Sequence, residues 1–377
     1  MKYTLIDSPE AIPTATRRLA GVSTISLDCE AAGFHRYSDR LCLVQLSTPD
    51  ENLILDPLAL DLAALLRPIL EDPGIRVVMH GGDYDIRLLD RDLGIRPQGV
   101  FDTQIAASLL GAPAVGLAAL LEKHLDIRLP KTHQRADWAQ RPLPEGMLEY
   151  AANDTEHLQS LADILSSALE EKGRGEWAKE EFELLEAIRW EEESVDPVTR
   201  VKGARDLSAR EVTGLRAVLD WRDEIAKKKD RAPFRVVGDQ VLLEVVVRRP
   251  RSPSELAELK GFSPHLARQQ GQLLLDRLSR VDGLPDDDVE GYPRWQGDGT
   301  GRPTPEEEAR ANRIRDLRTG VSSELGLDRG VLLSNAQIME LVRRAPASLP
   351  ELEAVPGMKR WQLAILGEEV LRILAGG

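Results

Sequence analysis

Thr24-Ile25-Ser26-Leu27-Asp28-Cys29-Glu30 decides how the first part of this chain is read. Thr24 to Cys29 is short, apolar and bounded by turn-like residues, as strands are. Side chains alternate faces along a strand, so Asp28 and Glu30 point one way and Cys29 the other. Two neighbouring carboxylates repel unless a cation lies between them. Oxygen ligands of this kind suit Mg²⁺ or Mn²⁺. Two surface acids at a strand end are the plainer alternative.

The flanking sequence alternates strand-like and helix-like segments. Leu41–Ser47, Asn52–Leu55 and Arg76–Met79 read as further strands. Leu58–Leu70 has helical spacing and stops before Asp72-Pro73-Gly74, a turn signal. Asp83–Leu93 reads as a helix ending at Gly94, and Glu145–Glu171 as one long helix. A mixed sheet covered by helices follows. Residues 170–195 are rich in Glu and are expected to form a connecting helix with a solvated acidic face.

Two further segments carry acids in useful places. His80-Gly81-Gly82-Asp83-Tyr84-Asp85 follows a strand and opens a helix. Its glycines allow a tight turn or a close approach. Asp83 suits a helix cap or first turn, and Asp85 can project toward the first acid pair. His80 is better explained by a hydrogen bond at the strand end than as a ligand. In Tyr150-Ala151-Ala152-Asn153-Asp154, helical spacing puts Tyr150 and Asp154 on one face.

The whole chain has 377 residues, which predicts two or three domains. Hydrophobic residues make up 42%, enough for ordinary cores. No apolar run approaches the ~18 residues of a membrane span. The beginning, MKYTLIDSPEAIP, lacks the pattern of a signal peptide. Cys29 and Cys42 are too few for a disulfide framework and match no zinc spacing. The expectation is a cytoplasmic protein without a membrane partner. Net charge is −14, but it is divided. Residues 1–170 hold 15 Lys+Arg against 25 Asp+Glu, and residues 200–282 hold 18 against 12. An acidic front that holds cations beside a basic middle that holds phosphates would read this way.

The second half contains an internal repeat at an offset of 96 residues. Ser252–Phe262 (SPSELAELKGF) aligns with Ser348–Met358 (SLPELEAVPGM), and Glu244, Gly271 and Leu278 align with Glu340, Gly367 and Leu374. Each copy has the size of one small helical domain, so this is a duplicated module and not a solenoid. The Gly-, Pro- and Asp-rich stretch between them is a linker. Expected boundaries are 1–195 for the front domain with its connecting helix, 200–282 for the first module, 283–303 for the linker and 304–377 for the second.

In order and separation, Asp28-x-Glu30, Asp85 after His-x-Gly, and Tyr150-x-x-x-Asp154 resemble the exonuclease superfamily named for its four acidic residues. The match is to its tyrosine-containing branch, because Glu149 stands where the sibling branch has histidine. Phe101-Asp102-Thr103-Gln104 and Lys131–Trp138 (KTHQRADW), followed by Arg141-Pro142-Leu143, resemble ribonuclease D in particular. The first repeat, with Trp221-Arg222-Asp223, Arg231-Ala232-Pro233 and Val236-Val237-Gly238-Asp239, resembles the helicase-and-ribonuclease-D C-terminal (HRDC) domain. The second copy is more degenerate, with Leu317 in place of Trp221. No Gly-x-x-x-x-Gly-Lys-Ser/Thr loop is present, so a helicase is excluded.

The resemblance implies an α/β ribonuclease-H-like exonuclease domain, a mixed sheet flanked by helices, followed by two small all-α domains. It implies a monomeric 3′→5′ exoribonuclease that releases nucleoside 5′-monophosphates from RNA with a single-stranded 3′ end, tRNA precursors among its substrates. Asp28, Glu30, Asp85 and Asp154 would hold two divalent cations, Mg²⁺ or Mn²⁺, about 3.5–4 Å apart. Tyr150 would position the attacking water. Arg135 is the expected phosphate contact near the site. Lys227, Lys228, Lys229, Arg231, Arg248, Arg249 and Arg251 are expected to hold the body of the RNA. Two other readings use the same residues: a 3′→5′ DNA exonuclease of repair, and a non-catalytic RNA-binding scaffold, whose signature would be a lost carboxylate.

Overall fold

The computed structural model describes residues 3–129, 132–192, 195–293 and 303–376. Lys131 of the KTHQRADW stretch, residues 193–194 of the expected connecting helix and residues 294–302 of the expected linker lie outside them.

The front domain is a six-stranded sheet with helices on both faces. Its strands are β1 (Tyr3–Ile6), β2 (Thr24–Ala31), β3 (Leu41–Ser47), β4 (Asn52–Leu55), β5 (Arg76–Met79) and β6 (Val100–Asp102). The order is β1-β4-β3-β2-β5-β6. β3 runs antiparallel to β2 and β4, while β1–β4, β2–β5 and β5–β6 are parallel. The mixed sheet read from the sequence is therefore present. Alternation puts Leu27 and Cys29 into an apolar core with α1 (Ile12–Leu19), α2 (Ala63–Leu70) and α3 (Asp83–Leu93). Asp28 and Glu30 take the opposite face, together with Gln45 and Leu43, their partners across β3. Both cysteines are free and buried.

Further along lie α4 (Thr103–Leu109), α5 (Leu117–Leu125), α6 (Glu145–Glu156), α7 (Leu158–Glu171) and α8 (Gly175–Glu186). The single helix expected over Glu145–Glu171 is broken at His157, with φ −105° and ψ 1°. The break falls between Thr155 and Gln159, which both bind Ser47, through its hydroxyl at 2.6 Å and its carbonyl at 2.8 Å. The expected helix at Leu58 starts only at Ala63. Asp56 accepts the Leu58 amide and Asp61 the Ala63 amide, so local side chains turn the chain first.

The first helical module contains α9 (Ala209–Lys228), α10 (Pro233–Val236), α11 (Asp239–Arg248), α12 (Pro253–Glu258) and α13 (Pro264–Asp282). It has its own apolar core around Trp221, Leu242 and Leu274. The second contains α14 (Pro305–Leu325), α15 (Arg329–Leu332), α16 (Asn335–Arg344), α17 (Leu349–Glu353) and α18 (Arg360–Leu374). Its core is continuous with that of α4, α5, α7 and α8.

The acidic stretch around 180 is not the solvated face expected of it. Glu180, 9% exposed, accepts the Arg360 amide at 2.7 Å and the Trp361 amide at 3.0 Å. It thus caps the start of α18 from another domain, where the helix dipole favours an anion. Glu181 binds Lys359 through both oxygens at 2.6 and 2.7 Å and the Trp361 indole at 2.9 Å. Among the described residues no helix is long and apolar enough to cross a membrane.

Candidate active site

Carboxylate oxygens of Asp28, Glu30 and Asp154 lie within 4.8 Å of one another. Two come from one face of β2, the third from α6, which packs over β3 and β4 on that face. Tyr150 precedes Asp154 by one helical turn and shares its face. These residues line a cleft of about 530 Å³ with His80, Gln134 and the start of α5.

Asp85 stands outside this three-carboxylate cluster but within its field. The field of Asp28 raises its pKa, after burial and ahead of Asp102. Its position is set by a chain of local contacts. Gly81 turns β5 into α3 with φ +69°, a conformation that side chains resist. The Gly82 amide donates to Asp102 at 2.7 Å. The other Asp102 oxygen caps α4 through the amides of Gln104 and Ile105, at 2.8 and 3.0 Å. Thr103 binds both the Met79 carbonyl and His80. The Phe-Asp-Thr-Gln stretch therefore locks the turn from which Asp85 projects. His80 is hydrogen-bonded at a strand end, and burial lowers its pKa. Asp83 pairs with Arg87 at 2.9 Å as a first-turn surface acid.

The electrostatics of the cluster are unfavourable to four charges. Burial lifts Asp28 to about 6, against the pull of the Cys29 amide. Burial and then Asp28 lift Asp154 to about 8. Glu30 is held well above its ordinary value by burial, then by Asp28, Asp154 and Asp85. Oxygen donors that cannot all ionise together, gathered in one cleft, fit hard divalent cations. Tyr150 is also pushed up, by burial and by the charges of Asp154 and Glu30, so it keeps its phenolic proton.

The KTHQRADW stretch, from His133 onward, walls the tyrosine. His133 and the buried Trp138 both lie with ring centroids 6.1 Å from Tyr150. The wall is tied to the loop after β2: Arg36 grips Asp137 through two bonds, at 3.1 and 2.8 Å, and His35 Nε2 meets the Arg135 carbonyl at 2.8 Å. Arg141 binds both oxygens of Asp56, anchoring the next turn. Opposite, α5 begins at Gly116 without a side-chain cap, and its first residues, Gly116 to Ala119, line the cleft.

The basic residues singled out for RNA divide into two sets. Arg248 and Arg249 are engaged within the module, with Glu244 and Asp282, both at 2.8 Å. The Arg251 backbone donates to Glu255. Lys227, Lys228, Lys229 and Arg231 are exposed at the end of α9 and form no ion pair among the described residues. That end of α9 abuts the loop after β2. The Ala232 amide donates to the His35 carbonyl at 3.1 Å, Tyr37 Oη donates to Asp223 at 2.8 Å, and the Tyr37 amide to Asp230 at 3.3 Å. Arg135 is exposed beside the same loop. Sequence reasoning missed this junction entirely, because its partners lie about 190 residues apart.

Comparison with known proteins agrees with this arrangement. Residues 3–170 match the 3′-5′ exonuclease family, and residues 214–278 and 307–374 each match the HRDC domain. Ribonuclease D of Granulibacter bethesdensis is 30% identical over 379 residues, covering 99% of this chain and 93% of that protein. The crystal structure of Escherichia coli ribonuclease D, described as an exoribonuclease involved in structured RNA processing, superposes with a TM-score of 0.71 at 28% identity, covering 100% of this chain and 99% of the other. A Bifidobacterium adolescentis protein superposes with a TM-score of 0.84 at 25% identity, covering 99% and 97%. With near-complete coverage, the same domain order and the acidic cluster in the exonuclease domain, this chain belongs to the ribonuclease D family.

Proposed function

We propose that the chain shortens RNA from its 3′ end, releases nucleoside 5′-monophosphates one at a time, and acts as a cytoplasmic monomer on structured RNAs, tRNA precursors among them. The observation that carries this reading is the gathering of Asp28, Glu30 and Asp154 within 4.8 Å, beside Tyr150, in a cleft of nucleotide dimensions. Asp28, Glu30 and Asp154 would hold one divalent cation, Mg²⁺ or Mn²⁺, and Asp28 with Asp85 a second. Bound cations supply Lewis-acid polarisation and neutralise charge on the attacking and leaving oxygens.

The chain's own groups do the positioning. Tyr150, its pKa pushed up by burial and by the neighbouring carboxylates, would orient a water by hydrogen bonding. Trp138 and His133 fix the ring from two sides. The uncapped amides at the start of α5 suit the phosphate of the terminal nucleotide. In this reading residues 1–195 carry the chemistry, 200–282 and 304–377 are the helical modules, and 283–303 join them.

The test is digestion of a 3′-extended tRNA and of DNA of the same sequence, each with Mg²⁺ and with EDTA. Stepwise release of 5′-mononucleotides from the RNA, blocked by EDTA and abolished in Asp28→Asn, is the expected result. Preference for the DNA would overturn the substrate assignment. Full turnover by Asp28→Asn would overturn the site.

A further inference from the structure

Two large aromatic side chains remain exposed where the first HRDC domain meets the exonuclease domain. Phe34, in the loop after β2, is 38% exposed, and Phe234, in α10, is 50% exposed. Their ring centroids are 5.4 Å apart at an interplanar angle of 54°. Two guanidinium groups cover them: Arg235 lies 4.8 Å from the Phe34 centroid and 5.9 Å from that of Phe234, and Arg135 lies 5.6 Å from Phe34.

The two rings are not needed to join the domains. The junction is already made by polar contacts: Ala232 with His35, Tyr37 with Asp223 and Asp230, and Arg235 Nε with the Phe34 carbonyl at 2.7 Å. Packing that served adhesion alone would bury the rings, because exposed apolar area gains nothing. The charges are equally telling. Neither Arg135 nor Arg235 has a carboxylate partner among the described residues, whereas the acids nearby are taken, Asp137 by Arg36, Asp223 by Tyr37 and Asp230 by both. Exposed Lys227, Lys228, Lys229 and Arg231 precede Phe234 in the chain and extend the same positive field.

The location supplies the ligand. An open depression lined by His133, Gln134, Arg135 and Ala136 adjoins the catalytic cleft, and Gln134 lines both. Phe34 is four residues beyond Glu30, so their Cα atoms are at most ~14 Å apart. Aromatic faces interleaved with unpaired cations bind single-stranded nucleic acid, bases on the rings and phosphates on the cations.

We propose that Phe34 and Phe234, flanked by Arg135 and Arg235, form a base-stacking platform for the unpaired nucleotides that precede the 3′ end held in the cleft. The platform is composite: one ring belongs to the exonuclease domain and the other to the first HRDC domain. It rests on the RNA-directed reading above and adds the subsite that receives the strand on its way to the cleft. Because Arg135 of the His133–Ala136 wall covers Phe34, and that wall adjoins the cleft, the strand passes over the wall before its last nucleotide reaches Tyr150.

The test is affinity, measured by fluorescence anisotropy with 5′-labelled single-stranded RNA of about 12 nucleotides, within the footprint of such sites. The Asp28→Asn protein prevents digestion. In that background Phe234→Ala should weaken binding about ten-fold, the loss of one stacked base. Phe234→Trp should retain the affinity, and Phe234→Leu should not, although it preserves apolar packing. An RNA carrying single abasic sites should lose affinity at one or two positions near the 3′ end, and this position dependence should vanish in Phe234→Ala. Full affinity in Phe234→Leu, or an abasic profile identical in wild type and Phe234→Ala, would overturn the platform. The exoribonuclease reading fails separately: tight, Phe234-dependent binding without digestion by the wild-type protein would remove the activity and leave the subsite.

Discussion

The two HRDC domains repeat one sequence pattern at a fixed offset, yet they are attached by different chemistry. The first encloses its own core around Trp221 and meets the exonuclease domain at the loop after β2 through hydrogen bonds, the Arg36–Asp230 ion pair and the half-exposed Phe34–Phe234 contact. The second has no separate core. Its Ile314, Leu341 and Leu366 belong to the same apolar cluster as Leu120, Leu161 and Phe182 of the exonuclease domain. At that seam Trp361 stacks on Trp177 with centroids 5.0 Å apart, and Arg174 bridges the Leu109 and Leu325 carbonyls at 2.6 and 2.5 Å. A shared dry core cannot open without unfolding, while a polar seam can. The second module is thus a brace, and the first is free to act on what enters the cleft beside it.

The comparison would break most visibly at Trp361. Trp361→Ala removes the stack and the bond to Glu181, and should cost about 3–5 kcal/mol. The exonuclease domain should lose stability with it, in one transition. A thermal melt in which that domain is unaffected would show that the second module is not a brace. A pH series sharpens the contrast from the side of the cleft. Asp28 and Asp154 are held above their ordinary values, at about 6 and about 8. The folded protein therefore binds more protons than the unfolded chain between about pH 4 and 8. Metal-free stability should fall through that window, by a few kcal/mol. Added Mn²⁺ should restore more of the melting temperature at pH 8 than at pH 5. A flat metal-free profile would mean that the cleft carboxyls do not carry these protons.

Smaller effects separate the two seams further. Glu180→Ala leaves the first amides of α18 without their cap and should cost about 1–2 kcal/mol, read by urea unfolding. Tyr37→Phe removes one exposed hydrogen bond to Asp223, about 1 kcal/mol. Its melting temperature should hardly change, but amide exchange should quicken in residues 33–40 and 230–236. Equal destabilisation by both substitutions would erase the distinction between brace and movable module.

What the sequence made legible was local. β3, β4, β5 and α3 fall where their patterns put them, because alternation and turn residues act within a few positions. Asp28, Glu30, Tyr150 and Asp154 could be placed on faces for the same reason. The break at His157 was not legible, since it answers to Ser47 on a distant strand. Nor was the role of Glu180: a run of glutamates looks solvated until Lys359, Arg360 and Trp361 are known to arrive beside it. The exposed pair of Phe34 and Phe234 is similarly invisible, because neither ring is unusual alone.

The cap on α18 also bears on how the protein is made. Glu180 and Trp361 are 181 residues apart in the chain. At about 5–20 residues per second, a ribosome needs roughly ten to forty seconds to cover that distance. Throughout that time the apolar side of α4, α5 and α8 waits for its covering. A nascent chain of this design therefore spends its longest interval of synthesis with a finished catalytic cleft and an unfinished flank, and it is on that flank that a chaperone would be needed.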